Sequence, residues 1–396
     1  MKAQLVSREC TGRAGLCNPV PGVILDRPKG PAYKDSMRSP AIKSQLKIRR
    51  SFRLTIYILC GLAAFHAAAW YILADQLERG IARWADERRA DGWMVKHGSV
   101  ELGGYPLSWR AAIDSPELAR QTGDPGFQWS GPAIVLTWEP WRPGDLGFEV
   151  TGSHDIALGT HRKLTKTNVT LAKGQGRLQF GPNGALQRLS LLLDGATLGT
   201  RPEQALLINR VRAVIDTTPA TQSTSPAKPH LIPSVRLNGN IFGLTLPKGT
   251  VAPLGRTIGK LVLRGTIMGR IPPGRPADAL SVWQKSGGTM EIGHLELGWA
   301  SLIVQAGGTM ALDSSLQPVG ALTGKISGYN ETADTLVTAN LIKPGAAMVA
   351  KFALGALSRT PRGGGRPQIE VPLSLQEGWL YVGPVKLLRL PKIRWH

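Results

Sequence analysis

The residues best suited to chemistry are histidines with carboxylates close by in the sequence. His154, Asp155 and His161 could supply metal ligands from one hairpin. His294 and Glu296 lie two residues apart on a predicted strand, so their side chains would point to one face of a sheet. Because a catalytic metal needs three converging protein ligands, we interpret both sets as exposed polar positions on strands.

Other catalytic and cofactor-binding signatures are missing from the sequence. It contains no G-x-S-x-G, no Walker A loop and no G-x-G-x-x-G. The cysteines Cys10, Cys17 and Cys60 all precede the long C-terminal part, which therefore has no thiolate zinc site and no disulfide. We expect no cofactor, no metal and no catalytic residue, and hence a protein that is not an enzyme.

A long apolar stretch predicts a membrane anchor. Leu54 to Ala74 are 21 residues without Asp, Glu, Lys or Arg. As a helix they rise ~31 Å, enough to cross the hydrocarbon core of a bilayer. We interpret the stretch as an uncleaved transmembrane helix, with a cleavable signal peptide over Leu54 to Ala69 as the alternative. The residues expected to form the anchor are Leu54, Ile56, Ile58, Leu59, Leu62, Phe65, Trp70, Ile72 and Leu73.

A basic segment precedes the anchor and sets its orientation. Positive residues flank the cytoplasmic end of membrane spans, so we expect a cytoplasmic N-terminus and an exported C-terminal domain. The residues of this flank are Lys43, Lys47, Arg49, Arg50 and Arg53.

The remaining segments follow from composition and periodicity. Residues 1–36 show no period of 2 or 3.6, and we interpret them as an extension upstream of a true start at Met37. The predicted order is a disordered basic cytoplasmic tail (1–53), the transmembrane helix (54–74), an amphipathic helix (75–95) and a β-rich exported domain (96–396) with a Pro/Ser/Thr-rich loop (217–234).

The net charge of +21 does not indicate nucleic-acid binding. Residues 1–53 carry 12 Lys and Arg against 3 Asp and Glu, and the rest of the positive charge is spread thinly with no recognisable nucleic-acid module. A diffuse positive surface on an exported domain suits anionic lipid headgroups or other polyanions.

After Lys96 the pattern is that of a mainly β fold. Short stretches such as Leu261 to Ile267 alternate apolar and polar residues between Gly and Pro turns, which is typical of antiparallel sheet with one buried face. We expect a large antiparallel sheet, either a twisted half-barrel or two joined β lobes. Two helices are predicted within it, Ala346 to Leu357 and Glu203 to Asn209.

Aromatic residues mark the predicted strands. They would line either an apolar groove for lipid tails or an ordinary core, and both interpretations stay open. The residues are Trp109, Trp129, Trp138, Trp299 and Trp379.

Four segments, together with the anchor, resemble the DUF2125 family of alphaproteobacterial envelope proteins. They are Gly103 to Arg110, Pro140 to Gly144, Gly308 to Gly320 and Val371 to Pro384. The resemblance implies a membrane-anchored, exported, β-rich protein, and we expect it at the bacterial inner membrane with its C-terminal domain in the periplasm. It implies no activity and supplies no catalytic residue.

The expected function is a non-catalytic cell-envelope module. Its curved sheet would bind a lipid, another amphipathic component or an envelope protein partner. The alternatives are an enzyme acting on envelope polymers or lipids and a structural subunit of a membrane complex. An enzyme would need two carboxylates, or a His and a nucleophile, converging in one cleft.

Overall fold

The computed structural model describes residues 41–120, 126–160, 163–199, 201–218, 229–361, 364–393 and 395. The proposed start at Met37, the segment 1–36 and His161 lie outside these ranges. The chain divides into two compact units, residues 1–62 and 63–396.

The first helix, α1, runs without a break from Ala41 to Ala90. It therefore begins inside the segment that we expected to be a disordered tail. It includes most of the predicted amphipathic helix (75–95) but ends at Ala90, and β1 begins at Met94. It is long and apolar enough to cross a membrane, judged by length and composition. Most of the predicted anchor residues are exposed, for example Leu59 at 60% and Phe65 at 73%. Trp70 differs, because it is buried in the second unit.

The rest of the described chain is mainly strand, which confirms the predicted fold class. Three more helices are α2 (Pro276–Lys285), α3 (Tyr329–Thr338) and α4 (Pro344–Leu357). The strands are β1 (Met94–Lys96), β2 (Val100–Gly103), β3 (Trp109–Asp114), β4 (Glu117–Arg120), β5 (Gly126–Ser130), β6 (Ala133–Trp138), β7 (Asp145–Thr160), β8 (Lys163–Phe180), β9 (Leu186–Leu198), β10 (Leu206–Thr217), β11 (Pro233–Thr245), β12 (Thr257–Met268), β13 (Thr289–Trp299), β14 (Leu302–Leu312), β15 (Pro318–Ser327), β16 (Gln368–Gln376), β17 (Trp379–Val382) and β18 (Val385–Arg389).

The strands form one antiparallel sheet with a simple order. From β7 to β18 each strand pairs with the next one along the chain. The other edge of β7 is shared, since its first half pairs with β6 and its second half with β5. One branch continues through β6, β3 and β2, and the other through β5, β4 and β1. The sheet is not closed into a barrel.

The Pro/Ser/Thr-rich segment 217–234 connects two neighbouring strands of this sheet. On either side of it, β10 and β11 pair antiparallel, from Thr217 opposite Val235 to Leu207 opposite Thr245. The segment therefore does not separate two β lobes.

Among the predicted helices, the one over Ala346 to Leu357 is confirmed by α4. The prediction over Glu203 to Asn209 is wrong, because a short 3-10 turn ends at Gln204 and β10 begins at Leu206. Pairing of β10 with strands on both sides outweighs its weak helical period.

Indole packing joins the second half of α1 to the sheet. Trp109 of β3 stacks on Trp70 with ring centroids 6.5 Å apart, and the ring centroid of Trp138 of β6 lies 5.0 Å from that of Trp109. The Trp109 Nε1 donates to the Trp70 carbonyl, and the Trp70 Nε1 donates to the Ser108 carbonyl. Ala74 completes this buried cluster, which fixes α1 against β3.

We predict that Trp109→Ala lowers the free energy of unfolding by about 3–5 kcal/mol, because it leaves a cavity beneath Trp70. Denaturant titration of the full chain in mild detergent measures the loss. Trp141→Ala is the matched control, since Trp141 is 56% exposed and its removal should cost within about 0.5 kcal/mol. Equal losses for the two variants would show that the cluster does not stabilise the domain.

Candidate functional site: the apolar face of the sheet

The strand register aligns apolar residues into continuous rows on one face of the sheet. Residues directly opposite each other on antiparallel strands point to the same face. Following these pairs from β2 to β16 gives a row, called here the middle row, without a polar or charged residue. Its members are Leu102, Ala111, Leu136, Phe148, Gly176, Leu191, Ala213, Gly239, Leu263, Leu295, Ala306, Gly324 and Val371.

Two further rows flank the middle row and are equally apolar. The first flanking row consists of Val100, Ile113, Ile134, Val150, Gly174, Leu193, Val211, Ile241, Leu261, Leu297, Val304, Ile326 and Ile369. The second consists of Trp109, Trp138, Leu146, Leu178, Leu189, Ile215, Leu237, Gly265, Ile292, Gly308, Leu322, Leu373 and Val382. Together the three rows are called the apolar face.

The opposite face of the same strands is mainly polar between β7 and β16. A row of pairs from β7 to β16 consists of Glu149, Gln175, Leu192, Arg212, Asn240, Val262, Glu296, Gln305, Lys325 and Glu370. Cross-strand ion pairs lie on this face, such as Arg177 with Asp145 and Lys260 with Glu296. From β7 to β16 the sheet therefore has one apolar face and one mainly polar face.

The apolar face is only partly covered. Some of its large side chains, among them Phe148, Leu263 and Leu295, are half-buried, whereas large residues of the flanking rows such as Ile292 and Ile369 are buried. The fully buried positions of the middle row are small residues such as Ala111 and Ala306. With strands ~4.8 Å apart, a row across thirteen strands extends about 58 Å. Water therefore reaches part of a wide apolar surface.

Glycines within the rows set the local depth of this surface. The ring of Phe148 lies over Gly176, where a Cβ would overlap it. At Gly239, by contrast, a Cβ would meet nothing within 4 Å. The middle row therefore contains both a filled position and an open one.

Two cavities in the described part of the chain have mixed linings. One of about 470 Å³ is lined in part by Glu149, Arg177 and Arg212. The other, of about 670 Å³, is lined in part by Asp313 and Arg389. Neither is an enclosed apolar pocket.

The five tryptophans chosen from the sequence lie in four different places. Trp109 and Trp138 belong to the cluster against α1. Trp299 ends β13, lies opposite Leu302 and donates from Nε1 to the Gly255 carbonyl. Trp129 stacks on His154. Trp379 pairs with Gln376 and lies beneath the cations of Lys386 and Arg389.

The apolar face depends mainly on Leu, Ile, Val, Ala and Gly, which the aromatic search did not select. The signal for these residues was present in the alternation of each strand.

His154 is buried, with 3% of its surface exposed, so its interpretation as an exposed strand position is wrong. It lies on β7 near the point where β5 and β6 part, against the ring of Trp129 at 6.1 Å. Gly131 makes room, since a Cβ there would overlap the imidazole. Asp155 is exposed and accepts a hydrogen bond from Asn168, so the two neighbours form no joint ligand set.

His294 and Glu296 do share one face, as predicted, but both are half-buried and they form a hydrogen-bonded cluster with a lysine. Glu296 accepts from Lys260 Nζ at 2.9 Å and lies 3.1 Å from His294 Nε2. The bond from Lys260 lowers the pKa of Glu296 below its usual 4.5, against the effect of burial. Within the described residues, no group of three or more His, Cys, Asp or Glu could hold a metal.

Burial lowers the pKa of His154 below its usual value of about 6.5, partly offset by the Thr151 backbone and the Asp155 charge. The unfolded chain therefore binds more protons than the folded one just below pH 6.5. We predict that the unfolding free energy falls as pH drops from 6.5 through the folded pKa, by up to about 1.4 kcal/mol per pH unit.

Denaturant titrations of the full chain between pH 7 and pH 5 measure this slope. His154→Phe should flatten it while keeping the ring against Trp129. His97→Phe leaves His154 in place and should keep the wild-type slope. A slope unchanged by His154→Phe would contradict the assignment.

Comparison with known proteins identifies the family. The sequence model of DUF2125, described as an uncharacterized protein conserved in bacteria, matches residues 70–391. The match begins at Trp70, in the cluster against β3, and extends past β18. No curated protein and no solved structure matches the chain. The resemblance seen in four segments is confirmed, while an alphaproteobacterial source stays a prediction. The chain belongs to the DUF2125 family.

Proposed function

We propose that this protein is a non-catalytic, single-pass membrane protein of the bacterial cell envelope that binds lipid acyl chains along the apolar face. The observation that carries the proposal is the unbroken set of three apolar rows on one face of an open sheet. An acyl chain has no polar group to satisfy, so a surface without polar groups suits it.

The size of the apolar face supports a bound partner. Soluble proteins seldom leave contiguous apolar patches larger than a few hundred Å² exposed to water. Three rows are about 14 Å wide and about 58 Å long, which is enough for several extended acyl chains. Covering this face with acyl chains would remove a large apolar area from water at ~25 cal/mol per Å².

The position of α1 supports a lipid as that partner. The second flanking row begins at Trp109, which packs on Trp70 of the helix that is apolar enough to span a membrane. A lipid leaving the bilayer beside α1 would meet the β3 end of the rows. We therefore propose entry at β3 and movement along the rows toward β17.

The proposed location follows from the basic flank of the anchor. Lys43 to Arg53 would stay on the cytoplasmic side, and this orientation supports a periplasmic location for the sheet at the inner membrane. The polar face, with its ion pairs, would then face the aqueous periplasm.

Photocrosslinking in cells tests the proposal. A benzophenone amino acid placed at Leu263 lies on the apolar face, whereas at Arg264 it lies on the polar face of the same strand. We expect mass spectrometry of the full chain to find phospholipid adducts at position 263 and few or none at 264, because only the first site would touch acyl chains. Equal adduct yields at both sites, or only protein adducts at 263, would contradict lipid binding there.

A further inference from the structure

A second apolar surface lies outside the sheet, on α4. Its side chains are among the most exposed apolar groups of the described chain: Met348 is 76% exposed, Val349 70% and Phe352 83%. Leu341 before the helix and Leu357 at its end are also exposed. In a helix, positions 345, 348, 349, 352, 353 and 356 are all exposed and lie on one side within an arc of ~140°.

The opposite side of α4 is already used for packing. Ala347 is buried there, and Lys351 forms an ion pair with Asp334 of α3. Since α3 in turn contacts β14, α3 links this side of α4 to the sheet. The exposed apolar side is therefore fixed in place and available to a partner.

The charge around α4 favours an anionic surface. Between Asp334 and Glu370 the sequence has no acidic residue, while it has Lys343, Lys351, Arg359, Arg362 and Arg366. Lys343 and Arg359 are exposed at the two ends of the helix. Basic residues at the ends of an apolar segment can extend to headgroups while the apolar side chains lie among acyl chains.

The length of α4 restricts how it could enter a bilayer. Fourteen helical residues rise ~21 Å, which is too short to cross a hydrocarbon core of about 30 Å. An apolar helix of this length with basic ends can lie in the plane of the membrane interface. The apolar side of α4 is broad. A broad side suits contact with fluid lipid, whereas a helix that binds in a protein groove usually presents a narrow apolar stripe.

We propose that α4 docks on the anionic surface of a lipid bilayer, with Met348, Val349 and Phe352 inserted into the interface. Together with α1, this contact gives the chain a second attachment to lipid. It uses a surface separate from the apolar face of the sheet and does not depend on lipid binding there.

The test uses the full chain with Cys10, Cys17 and Cys60 replaced by Ser and an environment-sensitive fluorophore on Val349→Cys. The control carries the label on Val282→Cys, a valine of α2 that is 53% exposed. Both are reconstituted into vesicles of phosphatidylethanolamine and phosphatidylglycerol containing doxyl-labelled lipid. We expect at least about twofold stronger lipid quenching at 349 than at 282, since an interfacial helix buries its apolar side ~5–10 Å deep.

A second variant separates membrane docking from other causes. Phe352→Asp in the 349-labelled chain should reduce quenching toward the level at 282, and because Phe352 is exposed it should not change folding. Vesicles of phosphatidylcholine alone should also give weaker quenching. Equal quenching at 349 and 282 would overturn the proposal. A blue shift of the label at 349 without lipid quenching would also overturn it, because the label would then be buried against another copy of the chain.

Discussion

The two-residue period of the β-strand, kept in register across thirteen strands, is the constraint on which the rest of this structure depends. A slip of one residue between any two neighbours would turn the apolar side chains of one part of the sheet to the other face. The pairs Ala213 with Gly239 and Leu263 with Leu295 show the register preserved far from any helix. Bulges, such as the one between Val150 and Gly152, change the spacing along a strand but leave the rows continuous.

The amphipathic sheet connects local sequence to the proposed function. Ion pairs and amides lie along one face, and the other has nothing polar along its three rows. In most β proteins a second layer buries such a face. Here some large side chains, such as Phe148 and Leu263, stay half-buried, although others, such as Ile292 and Ile369, are buried. Acyl chains would take the place of the second layer, and α1 would bring the sheet to their source.

Sequence reasoning could predict the individual strands but not their long-range pairing. The alternation of residues from Leu261 to Ile267 is sufficient to predict strand β12. Nothing local indicates that β3 pairs with β6, or that β7 divides its edge between β5 and β6. The burial of His154 results from the division of the β7 edge between β5 and β6 and from the missing side chain at Gly131. Neither is visible in the local sequence, and an exposed position was therefore predicted. The helix α2 was missed although Pro276 and Asp278 are typical starting residues, because ten residues give a weak period.

The central claim is that lipid occupies the apolar face, and native mass spectrometry of the full chain extracted in mild detergent tests it most directly. The account predicts peaks displaced from the bare chain by phospholipid masses. Two substitutions on β11 distinguish lipid on the apolar face from lipid retained only around α1. Leu237→Lys places a charge on the apolar face, and Asn238→Lys places the same charge on the polar face. Leu237→Lys should reduce bound lipid roughly tenfold or more, because an ammonium among acyl chains costs well over ~1.4 kcal/mol, whereas Asn238→Lys should leave it unchanged. A lipid-free wild-type chain, or equal occupancy in the two variants, would contradict the account.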